Sequence, residues 1–185
     1  MTGEDLQRAL DADTSDVPVV GVVATAGTTN AGIVDDIDGI GKIANERGMW
    51  LHVDAAYGGA ALLADSVRPV FKGIERADSI TMDPHKWWFS PFDVASIIYR
   101  DPALAKSVHT QKASYGERER PSLVRHLTRR ARGLPLWFSV AVNGIAAYRD
   151  AVEHSLNLTR EVADYIRSHP DLELVQEPTL SVVLW

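Results

Sequence analysis

The period of the apolar positions changes several times along the chain, and the changes outline its elements. Residues 3–12, GEDLQRALDA, have helical spacing and predict a short amphipathic helix. Residues 17–24, VPVVGVVA, form a continuous β-branched run. Such a run predicts a strand covered on both faces of a parallel sheet. TAGTTNAG at 25–32 is a loop. Asp35 and Asp36 then precede Ile37, Ile40, Ile43 and Ala44 at helical spacing, and Gly48 follows. Acids in the first turn and a glycine after the last turn predict both ends of a helix. MWLHVD at 49–54 returns to a strand. A strand–helix–strand unit of this kind implies a right-handed parallel crossover.

The alternation continues. AALLA (60–64) and VFKGIERA (70–77) predict short helical pieces, while SITMD (79–83) and VASIIYR (94–100) predict strands. From about 101 to 133 the chain is polar and irregular, which predicts a long loop, mobile near 108–128. Residues 134–153 form one largely apolar helical stretch with Pro135 in its first turn. Ser155 is placed to cap a further helix with Leu158, Val162, Tyr165 and Ile166 on one face. Strand patterns at 172–176 and 180–185 close the sequence. The fold class is therefore α/β, a mostly parallel sheet with helices on both faces. A change of order near 155 predicts the start of a small α+β C-terminal domain. The expected organisation is 1–133 as part of a large domain, 134–154 as a connecting helix and 155–185 as a truncated small domain. LSVVLW at the end reads as a strand cut in mid-pattern, which predicts a piece of a longer protein.

Composition narrows the class. With 185 residues, 45% hydrophobic and 24% charged, the chain is an ordinary globular protein, not a disordered tail or fibre. It has no cysteine, which excludes disulfides, thiolate metal sites and a cysteine nucleophile; no metal is expected. No apolar run approaches the ~20 residues that span a bilayer. MTGEDLQRAL lacks the basic-then-apolar order of a signal peptide, so the expected location is the cytoplasm. Residues 1–65 carry 11 acids against 3 bases, and the remainder 14 acids against 16 bases. The basic excess runs from Lys112 through Arg118, Arg120, Arg125, Arg129, Arg130 and Arg132. No aromatic lies among these arginines and the whole chain is acidic, so a solvated loop is expected, not a nucleic-acid surface.

In open α/β sheets ligands bind beyond the carboxyl ends of the strands. That rule selects 25–30, 54–59 and 83–88. TAGTTN offers hydroxyls and a glycine, although threonine and glycine often only make a turn. In HVDAAYGG, Asp54 ends an apolar strand, so a partly desolvated carboxylate with a cationic or strong donor partner is expected. Ala55 and Ala56 leave room for a flat object, and Gly58 and Gly59 permit a sharp turn. In DPHKWW, Lys86 lies between His85 and two tryptophans, 32 residues after Asp54. An apolar neighbourhood disfavours the ammonium form, and a neutral amine attacks aldehydes to form a Schiff base. Trp87, Trp88 and Phe89 are expected in core packing. Together these parts fit pyridoxal phosphate, which needs a lysine for its aldehyde and a carboxylate for its pyridine nitrogen.

TAGTTNAGIVDDI, WLHVDAAYGG, ADSITMDPHKW and RRARGLPLWF resemble the pyridoxal-phosphate-dependent (group II) amino-acid decarboxylases, which include aromatic-L-amino-acid, tyrosine and glutamate decarboxylases. The resemblance runs over almost the whole chain. It implies that Lys86 holds the aldehyde of pyridoxal 5'-phosphate and that Asp54 pairs with the pyridine nitrogen. Ala56 matches the small residue against one ring face. His85, and Asp83 where relatives often have Asn, match the segment near the cofactor and its phosphate. Thr28 and Thr29 match the threonine pair lining the site, with Thr29 favoured for direct contact. The resemblance further implies a seven-stranded, mostly parallel large domain, a small C-terminal domain and homodimers with sites at the interface. The expected activity is decarboxylation of an L-amino acid to its amine, as part of a longer enzyme. The alternatives are another enzyme of the same cofactor and fold, such as an aminotransferase or aldehyde-forming relative, or an inactive fragment. Members are more than twice this length. Arg120 falls near the position where many members carry a loop tyrosine that protonates the product.

Overall fold

The computed structural model describes residues 1–109 and 129–185. The expected mobile loop near 108–128 lies almost wholly outside the described residues.

Helix α1 (Gly3–Ala12) starts at a reciprocal cap: Asp5 N–H donates to Thr2 Oγ1 at 3.1 Å, and Thr2 N–H donates to Asp5 Oδ2 at 2.8 Å. Its buried Leu6 joins the core shared with α2 (Ile37–Glu46). Asp36 caps α2 by accepting from Gly39 N–H at 3.0 Å, and Gly48 follows its end at φ 65°, a conformation glycine adopts without penalty. These are the boundaries that the acid and glycine signals predict.

The sheet order is β1–β2–β3–β4, formed by Gly21–Thr25, Trp50–Asp54, Ser79–Met82 and Ser96–Tyr99. β1, β2 and β3 are parallel, and β4 runs antiparallel to β3. The mostly parallel sheet with flanking helices is the expected class. The run 17–24 is not a strand buried on both faces. The strand begins only at Gly21, where pairing with Trp50 starts; among the described residues β1 pairs with β2 alone, and Val23 is 56% exposed. β-branched residues report strand tendency, but burial depends on neighbours that the run does not specify. Leu51 and Val53 are fully buried with Ile37, Ile40 and Ala44 of α2 in one core cluster.

Between β2 and β3 the expected helical pieces form 3-10 helices, Gly58–Leu63, Arg68–Phe71 and Ile74–Arg76. Residues 102–109 depart from the expected loop: they form helix α3 (Pro102–His109). Asp101 Oδ1 accepts from Ala103 N–H at 2.9 Å and Leu104 N–H at 3.2 Å, and proline suits a first helical position. Helix α4 (Gly133–Ser168) continues through Ser155, where the sequence predicts a new start. Ser155 Oγ donates to the Ala151 carbonyl at 3.0 Å inside the helix, a bond that competes with capping. The real interruption is Gly144, at φ 74° and ψ 155°. Tyr148, Val152, Leu156, Thr159, Ala163 and Ile166 form the buried stripe of α4.

The strands expected at 172–176 and 180–185 are absent. One backbone bond, Val175 N–H to the Leu184 carbonyl at 3.0 Å, joins the two segments. An isolated two-stranded pair is marginal without a third strand or a covering helix. Leu180 instead enters the main core, 1% exposed, against the loops after β1 and β2. Among the described residues, no helix is long and apolar enough to cross a membrane.

Candidate active site

Backbone bonds stitch three loops together at the carboxyl ends of β1, β2 and β3. Ala26 N–H donates to the Asp54 carbonyl at 2.8 Å, Ala55 N–H to the Thr81 carbonyl at 3.0 Å, and Asp83 N–H to the Ala56 carbonyl at 3.1 Å. The segments 25–30, 54–59 and 83–88 therefore share one edge, as the strand-end rule selects. Asp35 secures the first of them, its Oδ2 accepting from Thr25 N–H at 2.8 Å.

Close packing fixes these loops. An added Cβ on Gly58 would overlap the Ala26 carbonyl, lying 2.9 Å from its carbon and 3.1 Å from Leu180 Cδ1. At Gly27, with φ 108°, an added Cβ would lie 2.8 Å from Leu180 Cδ1 and 2.9 Å from Gly58 Cα. Gly58 is thus needed for close approach of two strand-end loops.

Asp54 is more open than the sequence predicts. It is exposed, and its Oδ1 accepts from Ala56 N–H at 3.0 Å. No cation of the described residues pairs with it, and the buried Leu51 and Val53 before it lie on the opposite face of the sheet. Lys86 is not in an apolar neighbourhood either. Its side chain is 39% exposed, and Nζ lies 3.0 Å from Asp83 Oδ2, whose side chain is 14% exposed. The two tryptophans point elsewhere. Trp87 is buried, stacked on Tyr57 at 5.2 Å between ring centroids, and Trp88 packs near Tyr148. Phe89 is exposed, with φ 53°, and so takes no part in the core.

His85 is tied to the following segment. Its Nδ1 lies 2.5 Å from the Val94 carbonyl oxygen, and Phe92 meets the ring edge-on at 5.1 Å. Asp93, next along, pairs with Arg130 at 2.6 Å and Arg132 at 3.0 Å. Two members of the basic cluster therefore brace the segment beside His85. Thr28 spends its side chain on its own loop, Oγ1 accepting from Ile33 N–H at 3.1 Å, while Thr29 is exposed.

Two features escaped the motif reading. A polar ladder crosses β2 and β3 toward Asp54. Trp50 Nε1–H donates to Ser79 Oγ at 2.9 Å, His52 Nδ1 lies 2.8 Å from the same oxygen, and His52 Nε2 lies 3.2 Å from Thr81 Oγ1. The period-2 alternation of WLHVD was the available signal, since it puts Trp50, His52 and Asp54 on one face. Tyr57 is the second. Its hydroxyl lies 2.5 Å from Ser181 Oγ and accepts from Ser181 N–H at 3.1 Å, and burial pushes the phenol's pKa up. No local pattern links residues this far apart.

Comparison with known proteins bears on what such an edge belongs to. The family model described as the pyridoxal-dependent decarboxylase conserved domain matches residues 1–185. The chain belongs to this family. It is 40% identical over 172 residues to the L-2,4-diaminobutyrate decarboxylase of Acinetobacter baumannii, covering 89% of this chain and 34% of that protein. It is 35% identical over 171 residues to the aromatic-L-amino-acid decarboxylase of Bacillus atrophaeus, covering 88% of this chain and 36% of that protein. The crystal structure of mouse CSAD superposes with a TM-score of 0.88 at 33% identity, over 99% of this chain and 40% of that one. The chain thus spans about a third of the length of these curated relatives.

Proposed function

We propose that this family member is the cofactor-holding part of a pyridoxal 5'-phosphate-dependent enzyme that decarboxylates an L-amino acid to its amine. One observation carries the reading: the bond from Asp83 N–H to the Ala56 carbonyl joins two strand-end loops, so that an open carboxylate, a small residue and a primary amine share one edge. That donor set fits the cofactor, because Asp54 has an exposed carboxylate with no protein cation on it among the described residues and Lys86 has an accessible amine. When bound, the cofactor supplies the electron sink for the carbon that loses carbon dioxide. Lys86 Nζ would hold the aldehyde carbon, and Asp54 would keep a proton on the ring nitrogen through a charge-assisted hydrogen bond. Ala56 leaves space for the ring face. Thr29, His85 and Asp83 flank the group, and Thr28 shapes the loop that presents Thr29.

The same reading divides the chain into a partial large domain (1–133), a connecting helix (134–154) and the start of a small domain (155–185). It makes the full-length enzyme a cytoplasmic homodimer. The first half of α4 supports the dimer: Leu134, Trp137, Phe138 and Val142 are exposed, and a helix this apolar on its surface calls for burial.

Borohydride reduction of the full-length protein with pyridoxal phosphate, followed by peptide mapping, tests the assignment. The pyridoxyl label is expected on Lys86, and a label on another lysine would refute it. Asp54→Ala is expected to lower turnover by about 10- to 1,000-fold, from the 1–3 pKa units that an opposite charge contributes to a protonated partner. Carbon dioxide and amine should appear together. An aldehyde product would move the reading to an aldehyde-forming relative.

A further inference from the structure

Two carboxylates stand at the edge that carries Lys86, and they are engaged differently. Asp54 accepts from a backbone N–H, while Asp83 Oδ2 lies 3.0 Å from Lys86 Nζ. We propose that Asp83 is a positioning residue for Lys86, holding the amine at the strand-end edge through an ion pair before any aldehyde arrives.

The geometry is built from the backbone outward. Asp83 is anchored by its own N–H, which donates to the Ala56 carbonyl at 3.1 Å. Lys86 N–H donates to the Asp83 carbonyl at 2.9 Å, closing a turn. A turn with this three-residue spacing brings the first and fourth side chains to one side, so the carboxylate and the amine meet. Asp83 is mostly covered and Lys86 is partly open, at 14% and 39% side-chain exposure. The covered partner is the fixed one, and the flexible lysine stem is the one that is restrained. A free lysine stem samples many rotamers. The pair selects those that put Nζ beside Asp83 at the strand-end edge. Attack on that carbon requires the pair to open, so Asp83 also delays reaction with aldehydes or acylating reagents that meet the amine by chance.

This inference rests on the reading of Lys86 as the anchoring lysine, and the experiment separates the two. The full chain and its Asp83→Asn variant are treated with acetic anhydride, a neutral reagent that owes nothing to the cofactor. Acetylation is followed by mass spectrometry at each lysine. Lys42 and Lys72, whose ion pairs with Asp38 the variant leaves alone, serve as references. At low salt Lys86 is expected to react about two- to fivefold faster in the variant, the range for a partly exposed ion pair. The difference should shrink at about 1 M salt, where the screening length falls to ~3 Å. Equal rates at low salt, or a difference insensitive to salt, would overturn the proposal. The unmodified chain gives a second measurement that needs no variant: its Lys86 must react faster as salt rises, and a flat response would also overturn it. Borohydride trapping with pyridoxal phosphate is run in parallel. A label away from Lys86 there sinks the anchoring role whatever the acetylation shows.

Discussion

Gly58→Ala and Gly59→Ala are neighbouring substitutions of the same size with different expected costs. At Gly58 the new Cβ would overlap the Ala26 carbonyl and lie 2.9 Å from its carbon. That is roughly 0.6 Å short of the ~3.5 Å at which carbon atoms meet favourably. The obstacle is backbone, held by the Ala26 N–H bond to the Asp54 carbonyl at 2.8 Å, so it yields only if the loop after β1 moves. At Gly59 the Cβ would meet Met82 Cε at 3.0 Å, Met82 Cγ at 3.1 Å and Ala55 Cβ at 3.3 Å, side-chain contacts that a flexible methionine relieves with a shift of a few tenths of an ångström. Overpacking of rigid surroundings costs about 1–3 kcal/mol, and alanine returns about 0.4–1 kcal/mol by restricting the unfolded chain. Gly58→Ala should therefore destabilise by about 1–2 kcal/mol and Gly59→Ala by no more than a few tenths. Urea unfolding followed by circular dichroism reads both. With a slope of about 2 kcal/mol/M, the Gly58 variant should lose roughly 0.5–1 M in midpoint. Equal midpoints for the two variants would show that the loops after β1 and β2 are not in rigid contact, and the close packing argued for the site edge would fail.

Leu180→Ala should cost about 2–4 kcal/mol, because the side chain is 1% exposed and fills the space beside Gly27 and Gly58; a loss below about 1 kcal/mol in the same unfolding assay would mean that residues 176–182 are not docked. Asp38 pairs with Lys42 at 2.8 Å, Arg76 at 2.8 Å and Lys72 at 3.6 Å, and the hydrogen bonds from Lys42 and Arg76 hold its carboxyl well below the usual carboxylate range. A carboxyl lowered in the folded state contributes stability that is present above its unfolded pKa near ~3.9 and is lost as pH falls through the lowered value. The acid limb of the midpoint-versus-pH curve should therefore flatten in Asp38→Asn, and superposable limbs would remove Asp38 from the account.

The elements defined by nearest neighbours were readable from the sequence. Asp36, the spacing of Ile37, Ile40 and Ala44, and Gly48 mark both ends of α2, because caps and helical faces are local chemistry. The same holds for β2 and β3 and for the three strand-end loops, since a strand followed by a glycine- or aspartate-bearing turn is a contiguous signal. α3 was concealed by the polar composition around it, although the Asp-Pro start was there to see. Ser155 carried a capping signal that the helix overrode by bonding its hydroxyl to Ala151.

What the sequence by itself determined is the chemistry on offer: which strands end in Asp54 and near Lys86, and that the loops after them are small and turned. Tertiary structure decided who meets whom. It paired β1 with β2, left Asp54 open, gave Lys86 a carboxylate partner in place of an apolar pocket, and brought Leu180 and Ser181 to Gly58 and Tyr57. The physical reason is that caps and periodicity act over a few residues. Burial, ion pairing and strand neighbours are set by groups that the chain brings together from far along its length.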